Sequence, residues 1–272
     1  MSLKSIKTAV VTGGGHGIGR ALCRRLARDN VKVVVADIDG DAAATVAREI
    51  DGVDRQLDVS DEHAMLDLVT GIESDVGPID LFISNAGVGF GDAPSGAISK
   101  EGGMNPIDDR WSACWEVNVM AQVYAARAVI PKMLERGGGY IVNIASAAGL
   151  LSQIGDAAYS ATKHASVGFT EALAIDYGDA GIKVSVVCPQ AVATRMIGME
   201  DDSDSTEGGF GGNEVDGILQ AEEVADIIID QVLAGRFMIL THPQVATYIQ
   251  RKTGDYDRWI GGMRKFRRSL AK

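Results

Sequence analysis

Three features of the chain predict an α/β fold, a single doubly wound parallel sheet of about seven strands with helices on both faces. Short apolar runs alternate with longer amphipathic stretches, the pattern of right-handed βαβ units. Several of those runs are near-continuously apolar, which suits strands covered on both sides rather than one. No repeat and no Pro-rich linker interrupts the alternation, so residues 1–272 are expected to form one domain.

In chain order, the strand-type runs occupy residues 6–12, 31–36, 53–57, 79–84, 140–145, 184–188 and 237–240. Their length and apolar content fit buried strands. Between them, apolar residues recur at helical spacing over 18–29, 41–50, 62–74, 111–135, 157–178 and 221–233. Three segments depart from the alternation. Residues 89–109 form a Gly-rich loop that is long for a βα connection. Residues 195–217 are Gly-rich and carry seven carboxylates between Glu200 and Asp216, the composition of a mobile lid. Residues 245–272 carry eight Lys/Arg against Asp255 and Asp257, with apolar residues at helical spacing, a basic helical tail.

A net charge of −11, from 26 basic and 37 acidic side chains, argues against a nucleic-acid partner and against general attraction to anionic lipid. No apolar run reaches the ~18 residues of a membrane helix, and the start lacks a secretory h-region, so a cytoplasmic protein is expected. Cys23, Cys114 and Cys188 are scattered, which reads as buried free thiols in a reducing compartment, and no metal-ligand spacing is present.

Two constellations carry chemistry. Thr12-Gly13-Gly14-Gly15-His16-Gly17-Ile18-Gly19 follows a strand and opens a helix. Missing Cβ atoms there permit a tight turn and close approach of a pyrophosphate to backbone N–H groups, a Rossmann-like dinucleotide site. Asp37 ends the next strand 18 residues beyond Gly19, where a carboxylate hydrogen-bonds a ribose 2′-hydroxyl and repels a 2′-phosphate. His16 is the one potentially cationic neighbour in the sequence, so NAD is favoured over NADP. Asp58-Val59 and Asn85-Ala86-Gly87 end the third and fourth strands, at the sheet edge where ligands bind; turn roles serve each equally well. The second constellation is Tyr159 and Lys163, four apart on one helical face, with Ser146 thirteen residues upstream. A cation beside a phenol favours the phenolate, which implies proton exchange near neutral pH.

These motifs, in this order from residue 6 to residue 240, resemble the short-chain dehydrogenase/reductase family. The resemblance implies an NAD-dependent oxidoreductase that interconverts a secondary alcohol and its ketone. It implies Tyr159 as general acid/base, Lys163 lowering its pKa and binding the nicotinamide ribose, and Ser146 positioning the reacting oxygen. Asn118 would hold a water that extends the proton relay. Gly13, Gly15, His16, Gly17, Ile18 and Gly19 would contact the cofactor, with Pro189, Val192 and Thr194 at the carboxamide end. A homotetramer or dimer built on 111–135 and 157–178 is also implied.

One position departs from the family pattern: Gln190 stands after Pro189 where glycine is usual. Leu150, Leu151 and Ile154 suggest an apolar wall, hence a moderately hydrophobic substrate. An NAD-using epimerase or dehydratase and a non-catalytic NAD-sensing protein are the rival readings. The basic tail either packs on its own chain or a sister subunit, or meets a membrane surface.

Overall fold

Seven parallel strands pair through their backbones into one sheet: β1 (Thr8–Thr12), β2 (Lys32–Asp37), β3 (Val53–Gln56), β4 (Leu81–Ser84), β5 (Gly139–Ile144), β6 (Ile182–Val187) and β7 (Met238–Ile239). Their order is β3-β2-β1-β4-β5-β6-β7, so the doubly wound sheet expected from the alternation is present. The computed structural model describes residues 6–90, 109–199 and 216–270. Ten α-helices accompany the strands among these residues: α1 (Gly17–Arg28), α2 (Gly40–Glu49), α3 (Glu62–Asp75), α4 (Asp109–Trp115), α5 (Ala121–Glu135), α6 (Ala148–Leu151), α7 (Ala157–Tyr177), α8 (Ala221–Leu233), α9 (Gln244–Gly254) and α10 (Tyr256–Leu270).

Alternate side chains of a strand face opposite sides of a sheet, and the core divides accordingly. Val11, Val35, Ile83 and Val142 pack with Leu22 and Leu26 of α1 and Ile228 of α8. Val10, Val34, Phe82 and Ile141 pack on the other side with Met65 of α3, Met133 of α5 and Leu173 of α7. Both layers are dry, which is why the strands read as continuous apolar runs. The chain winds outward from β1 in both directions, β2 on one side and β4 on the other. That reversal opens a crevice beyond the strands' carboxyl ends.

The stretch 111–135, expected as one helix, is α4 and α5 joined by a π-helical turn, Glu116–Met120. A π-turn adds one residue to a helical repeat, and such turns concentrate at functional sites. Here it carries Asn118, which is fully buried. The tail residues form two helices, α9 and α10. Lys252 of α9 is buried and donates to the Leu150 carbonyl of α6 at 2.6 Å, with its ammonium 5.6 Å from the Tyr256 ring centre. The tail therefore packs on its own chain through α9. Among the described residues no helix is long and apolar enough to cross a membrane. Most of the 89–109 loop and of the 195–217 lid lie outside the described residues. The three cysteines are buried and unpaired.

Candidate active site

The carboxyl ends of β1 to β6 converge on one cavity of about 360 Å³. After β1, Gly13, His16, Gly17 and Ile18 line it, joined by Asp37, by Asp58 and Val59, and by Asn85, Ala86 and Gly87. Ser146, Tyr159, Lys163, Pro189, Val192 and Thr194 line the same space. Gly15, Gly19 and Asn118 stand one layer back and shape it indirectly.

The glycine loop is a cradle that side chains would fill. Gly13 and Gly17 have φ of +63° and +49°, left-handed values that strain other residues. A Cβ on Gly17 would lie 2.9 Å from Thr194 Cγ2, and one on Gly19 would collide with the Gly13 carbonyl. His16, the N-cap of α1, makes no side-chain capping hydrogen bond, and it lines the cavity with Gly17 and Ile18 of that helix's first turn. This suits a pyrophosphate. Asp37 is buried, and its carboxylate accepts the Gly15 N–H at 2.9 Å and the Asp39 N–H at 3.0 Å. The loop and the acid are thus one rigid unit.

Two residues expected as ligand contacts or turn formers act as braces. Asn85 donates from Nδ2 to the carbonyls of Thr12 (2.9 Å) and Gly13 (3.1 Å), tying β4 to the glycine loop. Asp58 Oδ1 accepts from the backbone N–H and hydroxyl of Ser60, holding its own turn.

Tyr159 and Lys163 lie in the first two turns of α7, whose N-cap Asp156 accepts the Tyr159 N–H at 2.9 Å. Lys163 Nζ sits 5.5 Å from the Tyr159 ring centre and donates to the Ile144 carbonyl at 3.2 Å. Asn118 Oδ1 accepts the Val88 N–H at 2.9 Å, while Nδ2 donates to the Val88 carbonyl at 2.9 Å and to Thr162 Oγ1 at 3.2 Å. That side chain locks the segment after β4 to α7. Gly87 lies against both groups: a Cβ there would be 3.2 Å from Asn118 Oδ1 and 3.2 Å from Lys163 Nζ.

The sequence model of the short chain dehydrogenase family matches residues 7–204. The chain belongs to that family. It is 32% identical over 261 residues to the 1-deoxy-11-beta-hydroxypentalenate dehydrogenase of Streptomyces exfoliatus, covering 93% of this chain and 90% of that one. It is also 32% identical over 205 residues to the 3beta-hydroxysteroid dehydrogenase 2 of Eggerthella lenta, covering 73% and 76%. A solved short chain dehydrogenase/reductase from Burkholderia phymatum, in complex with NAD, superposes with a TM-score of 0.80 at 29% identity, over 94% of this chain and 96% of that one. This chain is a dehydrogenase/reductase acting on CH–OH groups with a nicotinamide dinucleotide.

In this dehydrogenase, burial governs the Tyr159 phenol. Desolvation pushes the phenol up to about 12, against an opposing hydrogen bond with Ser146, and Asp156 adds to the rise. Burial also pushes the Lys163 ammonium down to about 8. Proton exchange near neutral pH, expected from spacing alone, thus requires more than the Tyr159–Lys163 pair. The Lys163 shift has a measurable consequence. Between pH 8 and 10 the unfolded chain keeps a lysine proton that the folded chain has released, so this group makes stability rise with pH. Relative to Lys163→Met, the wild-type denaturant midpoint should climb over that window. A constant difference between the two proteins across those pH values would show that Lys163 is not depressed.

Sequence reasoning missed three neighbours of the site. Arg195 Nη1 lies 3.3 Å from His16 Nε2, a pairing across 179 residues, and His16 Nε2 is 3.6 Å from Asp39 Oδ2. Arg195 is therefore a further basic side chain at the loop, beside His16. Met196 Sδ is 3.9 Å from the Tyr159 hydroxyl. Gln190 turns its amide to Asp216 Oδ2 at 2.9 Å, the answer to where the residue replacing the usual glycine points. Of the expected apolar wall, Leu151 and Ile154 line an adjoining cavity, whereas Leu150 packs against core residues Ala145 and Val167. The Arg195 and Met196 contacts arise from a 3₁₀ turn, Arg195–Ile197, that local periodicity does not announce.

Proposed function

We propose that this dehydrogenase uses NAD(H) to interconvert a moderately hydrophobic secondary alcohol and its ketone, with Tyr159 as the general acid/base. The observation that carries this reading is the meeting of Ser146, Tyr159 and Lys163 with the glycine cradle around one cavity. The dinucleotide, when bound, supplies the hydride acceptor or donor. In oxidation, the Tyr159 oxygen takes the alcohol proton while the Ser146 hydroxyl holds the same oxygen in place. Tyr159 must be the phenolate to take that proton, which neutralises it; Lys163, largely charged at neutral pH, stabilises the phenolate before the transfer. Asn118 supports the relay by fixing Val88 and Thr162 beside Lys163.

Charge supports NAD rather than NADP. Asp37, Asp58 and Arg195 line the cavity, Asp39 sits 3.6 Å from His16, and Asp37 is held by two backbone N–H groups. A 2′-phosphate meeting that carboxylate pays a desolvated like-charge contact. Asp37→Asn preserves the shape and the acceptor for Gly15 N–H while deleting the charge. Fluorescence titration with NADH and NADPH should show the affinity ratio shifting toward NADPH by roughly tenfold or more. Unmoved affinities for both would remove Asp37 from the choice. Names of the relatives point to hydroxylated substrates, a hydroxypentalenate and a 3beta-hydroxysteroid, consistent with a largely apolar alcohol.

A further inference from the structure

A second cavity of about 290 Å³ adjoins the first, and Gln190 lines both. Its walls come from residues 147–154 on one side and from the tail on the other. Trp259, Met263 and Phe266, spaced four and three apart on α10, present one stripe to it. Leu151 and Ile154 complete a largely apolar chamber, which shares Gln190 with the cavity that Ser146 and Tyr159 line. The polar groups in the chamber are ordered by a chain of hydrogen bonds. The Tyr248 hydroxyl donates to Asp216 Oδ1 at 2.8 Å, and Gln190 Nε2 donates to Asp216 Oδ2 at 2.9 Å. A carboxylate only accepts, so the amide nitrogen must face Asp216 and the amide oxygen must face away from it. That oxygen, Gln190 Oε1, is buried and has no hydrogen-bond partner.

A buried carbonyl without a donor is costly, and one that persists in a fold calls for a partner or a purpose. Its residue matters more than its cost: Gln190 lines both the reacting cavity and the apolar chamber. Resting on the alcohol-dehydrogenase reading above, we propose that the chamber takes the apolar body of the substrate. Gln190 then selects substrates that carry a second hydrogen-bond donor, a hydroxyl remote from the reacting carbinol. Both oxygens of Asp216 are already committed, and its charge disfavours a carboxylate or phosphate on the substrate at that depth. Arg251, stacked 5.9 Å from the Tyr248 ring centre, lies at the exposed rim and does not pair with the orphan oxygen. The substrate class is therefore a bulky, apolar diol or hydroxyketone.

The test compares a decalol with the corresponding decalindiol, on full-length wild-type protein, Gln190→Leu and Tyr248→Phe. Wild type should favour the diol in kcat/KM by at least about tenfold, the scale of one recognised hydroxyl in a dry site. Gln190→Leu should bring the ratio to within twofold of one, and Tyr248→Phe, which loosens Asp216, should lower it part of the way. A ratio comes from one protein preparation, so partial misfolding of a variant does not move it. Binding is read separately from turnover by quenching of Trp259 fluorescence with the decalin ketone and its hydroxyketone in the presence of NAD, using Trp259→Phe to isolate the signal. Tighter binding of the hydroxyketone to wild type, abolished in Gln190→Leu, supports the subsite even if neither alcohol is oxidised, a result that would fall on the dehydrogenase reading instead. Equal quenching by the two ketones, or a ratio that survives Gln190→Leu, overturns the proposal.

Discussion

Tyr159→Phe should lower turnover of a secondary alcohol by about 10²–10⁴-fold, the range for loss of a positioned general acid/base, while NADH affinity stays within about twofold. The two halves of this result separate chemistry from architecture. The Tyr159 ring packs beside Gly89, where a Cβ would lie 3.1 Å from Cδ2, and its backbone N–H is held by Asp156. Phenylalanine keeps both. What it deletes is one oxygen, which Met196 Sδ and Ser146 flank in the cavity. Loss in kcat with little change in substrate KM would place the effect in the transition state. Turnover within threefold of wild type would remove Tyr159 from the proton step. Because burial holds the phenol high, the defect should also abolish the rise of oxidative kcat/KM with pH that a phenol titrating above neutrality produces. A pH–rate series on both proteins measures this.

The alternation of strands and helices, the glycine loop and the Ser/Tyr/Lys spacing were legible because each is local. A parallel strand buried on both faces reads as an apolar run, and two residues four apart share a helix face whatever the rest of the chain does. The features that escaped are those set by long-range geometry. The π-turn at Asn118 adds a single residue to a helical repeat, which leaves apolar periodicity almost unchanged, so 111–135 reads as unbroken. The contact of Arg195 with His16 joins the loop after β1 to the turn after β6. The bond from Lys163 to the Ile144 carbonyl depends on how α7 lies across β5. The chamber beside Gln190 needs α10 folded back over residues 147–154; the sequence marks α10 as amphipathic without saying what its apolar stripe covers. Spacing singled out the candidate reacting groups, whereas the side chains packed around them are set by tertiary structure.

Gly19→Ala tests that packing at its tightest point. The methyl group would collide with the Gly13 carbonyl and press on Asn85 Nδ2, the two groups that hold the glycine loop against β4. Neither is the free end of a flexible side chain: one is backbone, and the other is fixed by hydrogen bonds to Thr12 and Gly13. Relief requires α1 to shift away from the loop, opening the cradle that a pyrophosphate would occupy. Overpacking of this kind costs about 1–3 kcal/mol, so thermal denaturation should come several degrees earlier. NADH affinity should fall by tenfold or more, since the N–H groups of the loop lose their convergence. Gly71→Ala in α3 supplies the contrast: nothing lies within 4 Å of its Cβ position, and alanine favours a helix interior by up to about 1 kcal/mol. That variant should melt at or above wild type with cofactor affinity unchanged. If Gly19→Ala behaved like Gly71→Ala in both calorimetry and NADH titration, the close approach of α1 to the loop would not be what shapes the dinucleotide site.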